Sequence, residues 1–298
     1  MKTIWVFPGQ GSQTVGMGVD LQAHTAAKAL FDQASELLGW SVIERCQGDE
    51  AILSRTLYTQ PCLYVVESAL AQVMADRGLQ PDFVAGHSLG EYSALQVAGV
   101  FSFTDGLRLI QQRAQLMDSA SDGMMAALLG FDRSQLEQAL QDTPDVVLAN
   151  DNNAGQVVIS GTPAAVEAII SSVKSKRAVK LNVSGAFHSP LMTDAAKQFQ
   201  RSLDQVPCQT ARVPVLSNVD PTPATDAVAL KHRLSRQMTG TVRWREISLA
   251  LPELGVEQAI EVGPGNVLGG IMKRTCSSVK LLAVGSLADL ETLAAAQE

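Results

Sequence analysis

The sequence predicts an α/β protein: a parallel sheet covered by helices on both faces, with a smaller unit inserted into it. Three observations carry this. Short apolar runs alternate with helix-period stretches along most of the 298 residues, the pattern of strands joined by crossover helices. One run, Phe83-Val84-Ala85, passes into Gly86-His87-Ser88-Leu89-Gly90 and then into a helical stretch, Glu91 to Ala98. Between Gly123 and Val183 the order becomes strand, helix, strand, strand, helix, strand, which is the split βαβ or ferredoxin-like order. Residues 1–122 and 189–298 are assigned to the larger, discontinuous unit and 123–188 to the insert.

Taken in order, Thr3 to Phe7 is a first strand, and Pro8-Gly9-Gln10-Gly11-Ser12-Gln13 is the turn-rich loop at its end. Leu21 to Leu38 has apolar residues at helical spacing, and Thr59-Gln60-Pro61 opens a helix from Cys62 to Arg77. Ser102-Phe103-Thr104-Asp105 opens a helix running through Met117. In the insert, Met124 to Leu129, Val146 to Ala149, Gln156 to Ser160 and Ala178 to Val183 are strands, with Asn150 to Gly155 as a turn. Helices fill Ser134–Gln141 and Pro163–Val173. After the insert come a helix from Ser189-Pro190 to Leu203, a strand at Val213–Asn218, and helices at Leu230–Gln237 and Trp244–Leu254. A strand at Glu257–Val262, a helix at Val267–Thr275 and a strand at Val279–Val284 complete the expectation.

The chain is 46% hydrophobic and 18% charged, an ordinary balance for a protein with a real core. Its net charge of −7 and lack of a basic run argue against nucleic acid or an anionic membrane as direct partners. An anionic ligand would need a local cation. Cys46, Cys62, Cys208 and Cys276 show no metal-type spacing and read as reduced thiols of a cytoplasmic protein. No metal-ligand cluster, targeting segment or membrane span is expected, and monomer is the default.

The Gly-Ser-Gly turn is a nucleophile elbow. Its flanks approach so closely that Gly86 and Gly90 carry no side chain, and Ser88 is left exposed at a helix N-terminus, where free N–H groups and the helix dipole favour an oxyanion. A serine nucleophile needs a base. Among four histidines, His24 and His232 lie on polar helix faces, and His87 leaves the turn on another side from Ser88. His188, in Gly185-Ala186-Phe187-His188-Ser189, follows small residues at the junction of the two units and is the favoured base over a plain surface histidine. Arg113 follows Leu109 by four and borders an apolar helix face. There it is either a structural ion pair or a bidentate carboxylate clamp. Backbone N–H groups of Gln10 and Leu89 can serve an oxyanion, although Gly9 and Gly11 equally fit a plain turn.

Six motifs appear in order: Phe7-Pro8-Gly9-Gln10-Gly11-Ser12-Gln13, Gly86-His87-Ser88-Leu89-Gly90-Glu91, Gln112-Arg113-Ala114-Gln115-Leu116-Met117, Gln156-Val157-Val158-Ile159-Ser160-Gly161, Gly185-Ala186-Phe187-His188-Ser189 and Glu261-Val262-Gly263-Pro264-Gly265. Together they resemble the malonyl-CoA:acyl-carrier-protein transacylase family over nearly the whole chain. The resemblance implies an α/β-hydrolase-like core with a ferredoxin-like insert. It implies ping-pong transfer of malonyl from malonyl-CoA to the phosphopantetheine thiol of acyl carrier protein, with no cofactor. It assigns Ser88 as nucleophile, His188 as base, Gln237 as the residue whose carbonyl orients the histidine, and Gln10 and Leu89 as oxyanion donors. Arg113 would bind the malonyl carboxylate, Phe187 would favour malonyl over larger groups, and Asn152, with Asn150, matches a loop near the site.

Other readings stay open on sequence. A serine esterase or thioesterase could use the same elbow, with a carboxylate behind the histidine. A non-catalytic carrier-binding scaffold could keep the elbow without its chemistry. An acyltransferase subunit of malonate decarboxylase would carry the same motifs. If His188 is the base, acylation should show a pH limb in the imidazole range.

Overall fold

The computed structural model describes residues 1–120, 122–183 and 185–295. The first half of the larger unit runs β1 (Lys2–Phe7), α1 (Thr25–Leu38), α2 (Val42–Gln47), α3 (Glu50–Leu53), α4 (Thr56–Asp76), β2 (Phe83–Gly86), α5 (Gly90–Val97) and α6 (Phe103–Asp118). The smaller unit follows as β3 (Met124–Phe131), α7 (Arg133–Asp142), β4 (Val146–Asn153), β5 (Gln156–Gly161), α8 (Pro163–Ser172) and β6 (Ser175–Lys180). The chain then returns through α9 (Thr193–Gln205), β7 (Val215–Leu216), α10 (Ala227–Arg236), α11 (Trp244–Glu253), β8 (Val256–Val262), α12 (Val267–Met272), β9 (Lys280–Val284) and α13 (Leu287–Ala295).

The main sheet has the order β7-β2-β1-β8-β9, and every neighbouring pair is parallel. Alternation along β1 shows how both faces are buried. Trp5 and Phe7 join the core formed with α1, α4 and α5, while Ile4 and Val6 pack with Trp244, Ile247 and Leu251 of α11 and Leu268 of α12. The order reverses at β1, with β2 on one side and β8 on the other. A crevice at the carboxyl ends of strands flanking such a reversal is the usual ligand site of a parallel sheet. Phe7, Gly86 and Leu216 end their strands there and lead directly to Gln10, Ser88 and Asn218.

The smaller sheet has the order β4-β5-β3-β6 and is antiparallel throughout. Ala126, Leu128, Val157 and Ile159 face α7 and α8 in a core of their own, while Met125, Ala127, Ala149 and Val158 face the main core. The two units are stitched at β4: Val242 N–H donates to Ala149 O at 2.8 Å, and Asp151 N–H donates to Val242 O at 2.9 Å. The molecule is thus a mixed α/β protein with one parallel and one antiparallel sheet, as the sequence predicted at that level.

Several boundaries differ from expectation. The stretch from Leu21 is not one helix: Asp20–Ala23 is a 3-10 turn, and His24 is extended before α1 begins. Helix α4 starts at Thr56, so Pro61 lies inside it rather than at its first turn. Asn150 to Asn153 belong to β4 instead of the turn, because two bulges let the strand continue along β5. The last strand of the insert ends at Lys180, and only Val215–Leu216 of the stretch from Val213 to Asn218 pairs as strand. Helices α2, α3 and α13 were not anticipated; the first two span six and four residues, too few to show a period.

Candidate active site

The elbow closes as its glycines require. A Cβ on Gly86 would lie 1.9 Å from the carbonyl carbon of Gly90, and one on Gly90 would lie 2.1 Å from Phe7 O. Ser88 is held at φ +52°, a left-handed conformation uncommon outside glycine. Helix α5 starts two residues later, so its N-terminal dipole points at the serine.

Across the cleft, His188 also has a positive φ, +56°, and is only 4% exposed. Its Nε2 lies 2.8 Å from Ser88 Oγ. Its Nδ1 faces two backbone carbonyls, Gln237 O at 2.9 Å and Gly240 O at 3.2 Å. Carbonyls only accept, so Nδ1 carries the proton and Nε2 presents a lone pair to the serine hydroxyl. Burial, and then the Arg113 charge, push the imidazole pKa down to about 3. The ring is therefore a neutral acceptor near neutral pH.

Arg113, on α6, is 1% exposed and ends at the nucleophile. Its Nη2 donates to Ser88 Oγ at 3.0 Å and to Gln237 Oε1 at 3.1 Å, and its Nη1 donates to Gln60 Oε1 at 2.7 Å. Its Nε has no acceptor among the described residues. Its guanidinium carbon stands 5.4 Å from the centre of the Tyr92 ring. No carboxylate lies within ion-pair distance, again among the described residues. A buried cation held only by neutral amides, a hydroxyl and a ring is electrostatically incomplete. The structural ion pair that the sequence left open is not what the fold builds.

The cavity at this point measures about 90 Å³ and is lined by Gln10, Ser88, Leu89, Arg113, Met117, Met125, Asn150, Phe187 and His188, among others. It has room for a small acyl group. The backbone N–H groups of Gln10 and Leu89 have no hydrogen-bond partner among the described residues. Ser88 N–H is occupied, donating to Asn218 Oδ1 at 2.8 Å. The Gln10 side chain lies against Thr56, with Nε2 2.9 Å from Oγ1.

Ser88, His188, Arg113, Gln237, Gln10, Leu89 and Phe187 therefore lie together around one cavity. Asn152 does not reach the cavity. Its Oδ1 lies 2.9 Å from His87 Nε2; the bulge between Asp151 and Asn153 takes Asn152 off the face it would share with Asn150, which lines the cavity. His87 packs edge-on against Trp244 and bonds Asn152, with no hydrogen bond to Ser88 Oγ among the described residues. His24 meets Asp76 at 3.8 Å, and His232 is exposed on α10. Sequence reasoning missed Gln60, Glu91 and Asn218, all fully buried polar residues of the site. The available signal was a lone polar side chain in an apolar context, as at Gln60 before Cys62 to Val66. Among the described residues no group of three or more His, Cys, Asp or Glu could hold a metal, and no helix is long and apolar enough to cross a membrane.

Residues 4–292 match the acyl transferase domain family. The chain is 59% identical to a malonyl CoA-acyl carrier protein transacylase from Synechocystis, over 98% of this chain and all of that protein. The crystal structure of a Synechocystis malonyl-CoA:ACP transacylase superposes with a TM-score of 0.97 at 58% identity, covering 98% of this chain and 100% of that one. A malonyl-transacylase in complex with its type II PKS acyl-carrier protein superposes with a TM-score of 0.93 at 37% identity, covering 98% of each chain. The chain belongs to the malonyl-CoA:acyl-carrier-protein transacylases of the acyl transferase domain family.

Proposed function

We infer that this protein transfers the malonyl group of malonyl-CoA to the phosphopantetheine thiol of an acyl carrier protein through a malonyl ester on Ser88. One observation carries the site assignment. Ser88 Oγ touches a neutral imidazole nitrogen at 2.8 Å and, at 3.0 Å, a buried guanidinium without an ion-pair partner among the described residues. The first activates a hydroxyl, and the second selects an acyl group that ends in a carboxylate.

In the first half-reaction His188 Nε2 takes the Ser88 proton as Oγ attacks the thioester carbon. The oxyanion is held by the N–H groups of Leu89 and Gln10, which the fold leaves unpaired. Collapse breaks the C–S bond, and the proton on His188 passes to the departing CoA sulfur. The second half-reaction runs the same steps in reverse with the carrier thiol as nucleophile. Arg113 grips the distal carboxylate throughout. This fixes the acyl chain and fills the cavity against water.

Proposed with it are the finer fold description, an α/β-hydrolase-like core (1–122 and 189–298) with a ferredoxin-like insert (123–188), and a cytoplasmic setting without a cofactor. The hydrolase alternative called for a carboxylate behind the histidine. Carbonyl oxygens of Gln237 and Gly240 stand in that place. A base so oriented and so weakly basic suits a thiol, which ionises readily, better than water. Initial rates with malonyl-CoA and carrier protein varied together test the scheme. Parallel double-reciprocal lines are expected; intersecting lines would exclude a scheme in which CoA leaves the malonyl-enzyme before the carrier protein binds.

A further inference from the structure

We propose that Asn218, oriented by Glu91, is a positioning residue for the nucleophile. A serine at φ +52° persists only where its surroundings over-determine it, and the Asn218 carboxamide does this from outside the turn. Its Oδ1 accepts from Ser88 N–H at 2.8 Å, and its Nδ2 donates to Gly86 O at 2.6 Å. One side chain thus bridges the backbone on both sides of His87. It continues the β2–β7 ladder, which pairs Val84 with Val215 and Ala85 with Leu216 and then runs out of strand.

The other peptide group of Ser88 is held in the same manner. Gln237 Nε2 donates to Ser88 O at 2.7 Å. Both amides end on one carboxylate oxygen: Glu91 Oε2 accepts from Gln237 Nε2 at 2.8 Å and from Asn218 N–H at 3.3 Å. Asn218, Gln237 and Glu91 are all fully buried. Glu91 Oε2 accepts from Gln237 Nε2, so Gln237 turns Nε2 inward and Oε1 toward Arg113, where it receives Nη2. Asn218 also removes Ser88 N–H from service, which directs the oxyanion to Leu89 and Gln10. Without Asn218 the serine relaxes toward an ordinary backbone conformation, and Oγ leaves His188 Nε2. Binding of malonyl-CoA, which does not use the Ser88 backbone, is left intact.

The test separates rate from binding. Asn218→Ala should slow single-turnover acylation by malonyl-CoA about hundred-fold, the scale of a misplacement near 1 Å. In a Ser88→Ala background, calorimetric affinity for malonyl-CoA should stay within about twofold whether or not Asn218→Ala is added. Asn218→Asp has the size of asparagine and keeps an acceptor for Ser88 N–H, but sets an oxygen against Gly86 O; it should show the same split if the alanine variant does not fold. Acylation within about threefold of the parent, or binding that weakens in step with rate, overturns the proposal. The proposal rests on Ser88 being the acylated residue. If that reading fails, the parent protein takes no malonyl group, or the group persists with Ser88→Ala; if only this proposal fails, Ser88 is labelled and parent and Asn218→Ala label alike.

Discussion

Arg113 Nη2 donates to Ser88 Oγ at 3.0 Å, so the cation that would recognise the substrate and the hydroxyl that would attack it share one hydrogen bond. Selectivity for a carboxylate is thereby placed one acyl length from the reacting oxygen. Replacing Arg113 by Ala should lower kcat/KM for malonyl-CoA about ten- to hundred-fold, the worth of hydrogen bonds to a charged group. Acetyl-CoA, with nothing for the guanidinium to grip, should lose far less. Arg113→Lys should recover malonyl transfer only in part, because an ammonium lacks the planar fork. Equal losses with both thioesters would count against the clamp.

His188 is the only described imidazole within reach of Ser88 Oγ. His188→Ala should slow acylation by about two to four orders of magnitude, the usual cost of a lost general base. Stopped-flow measurement of CoA release in the first turnover reads this directly. A rate within severalfold of the parent would remove His188 from that role.

The structure moves the expected pH limb. A base works while neutral, and burial together with the Arg113 charge brings the His188 pKa down to about 3. The sign is fixed: above that value the ring is neutral and activity is flat, and only as pH falls toward it does protonation remove the base. The kcat/KM for acylation should therefore be level from about pH 5 to about pH 8, without the limb that an unperturbed imidazole would give. A limb centred near the ordinary imidazole value would show that His188 is not buried as described.

At the elbow, Gly86→Ala would place a methyl 1.9 Å from the Gly90 carbonyl carbon and oxygen, both backbone atoms. No side-chain rotation relieves such a contact. Denaturant titration should show a loss of about 4 kcal/mol or more, or no folded protein. A variant of near-parental stability would mean that the turn has room for a side chain at position 86.

Much of this was legible in the sequence, for identifiable reasons. Parallel strands buried on both faces are continuous apolar runs, so β1, β2 and β8 stood out, and the Gly-Ser-Gly spacing gave away the elbow. Ser88, Arg113 and His188 lie in motifs whose residue types have few other uses together. What escaped depends on tertiary contacts. Bulges in β4 decide that Asn150 rather than Asn152 meets the cavity, and no local pattern encodes them. Asn218 looks like a strand end, and Glu91 like an ordinary first-turn acid on a helix. Only the meeting of β2, β7 and the segment after α10 turns them into supports for Ser88.

Intact-mass and peptide mass spectrometry after mixing with malonyl-CoA, without carrier protein, tests the covalent intermediate most directly. One malonyl group on Ser88, none with Ser88→Ala, and its removal on adding phosphopantetheinylated carrier protein are the expected results. No adduct, or an adduct that persists with Ser88→Ala, would contradict the account.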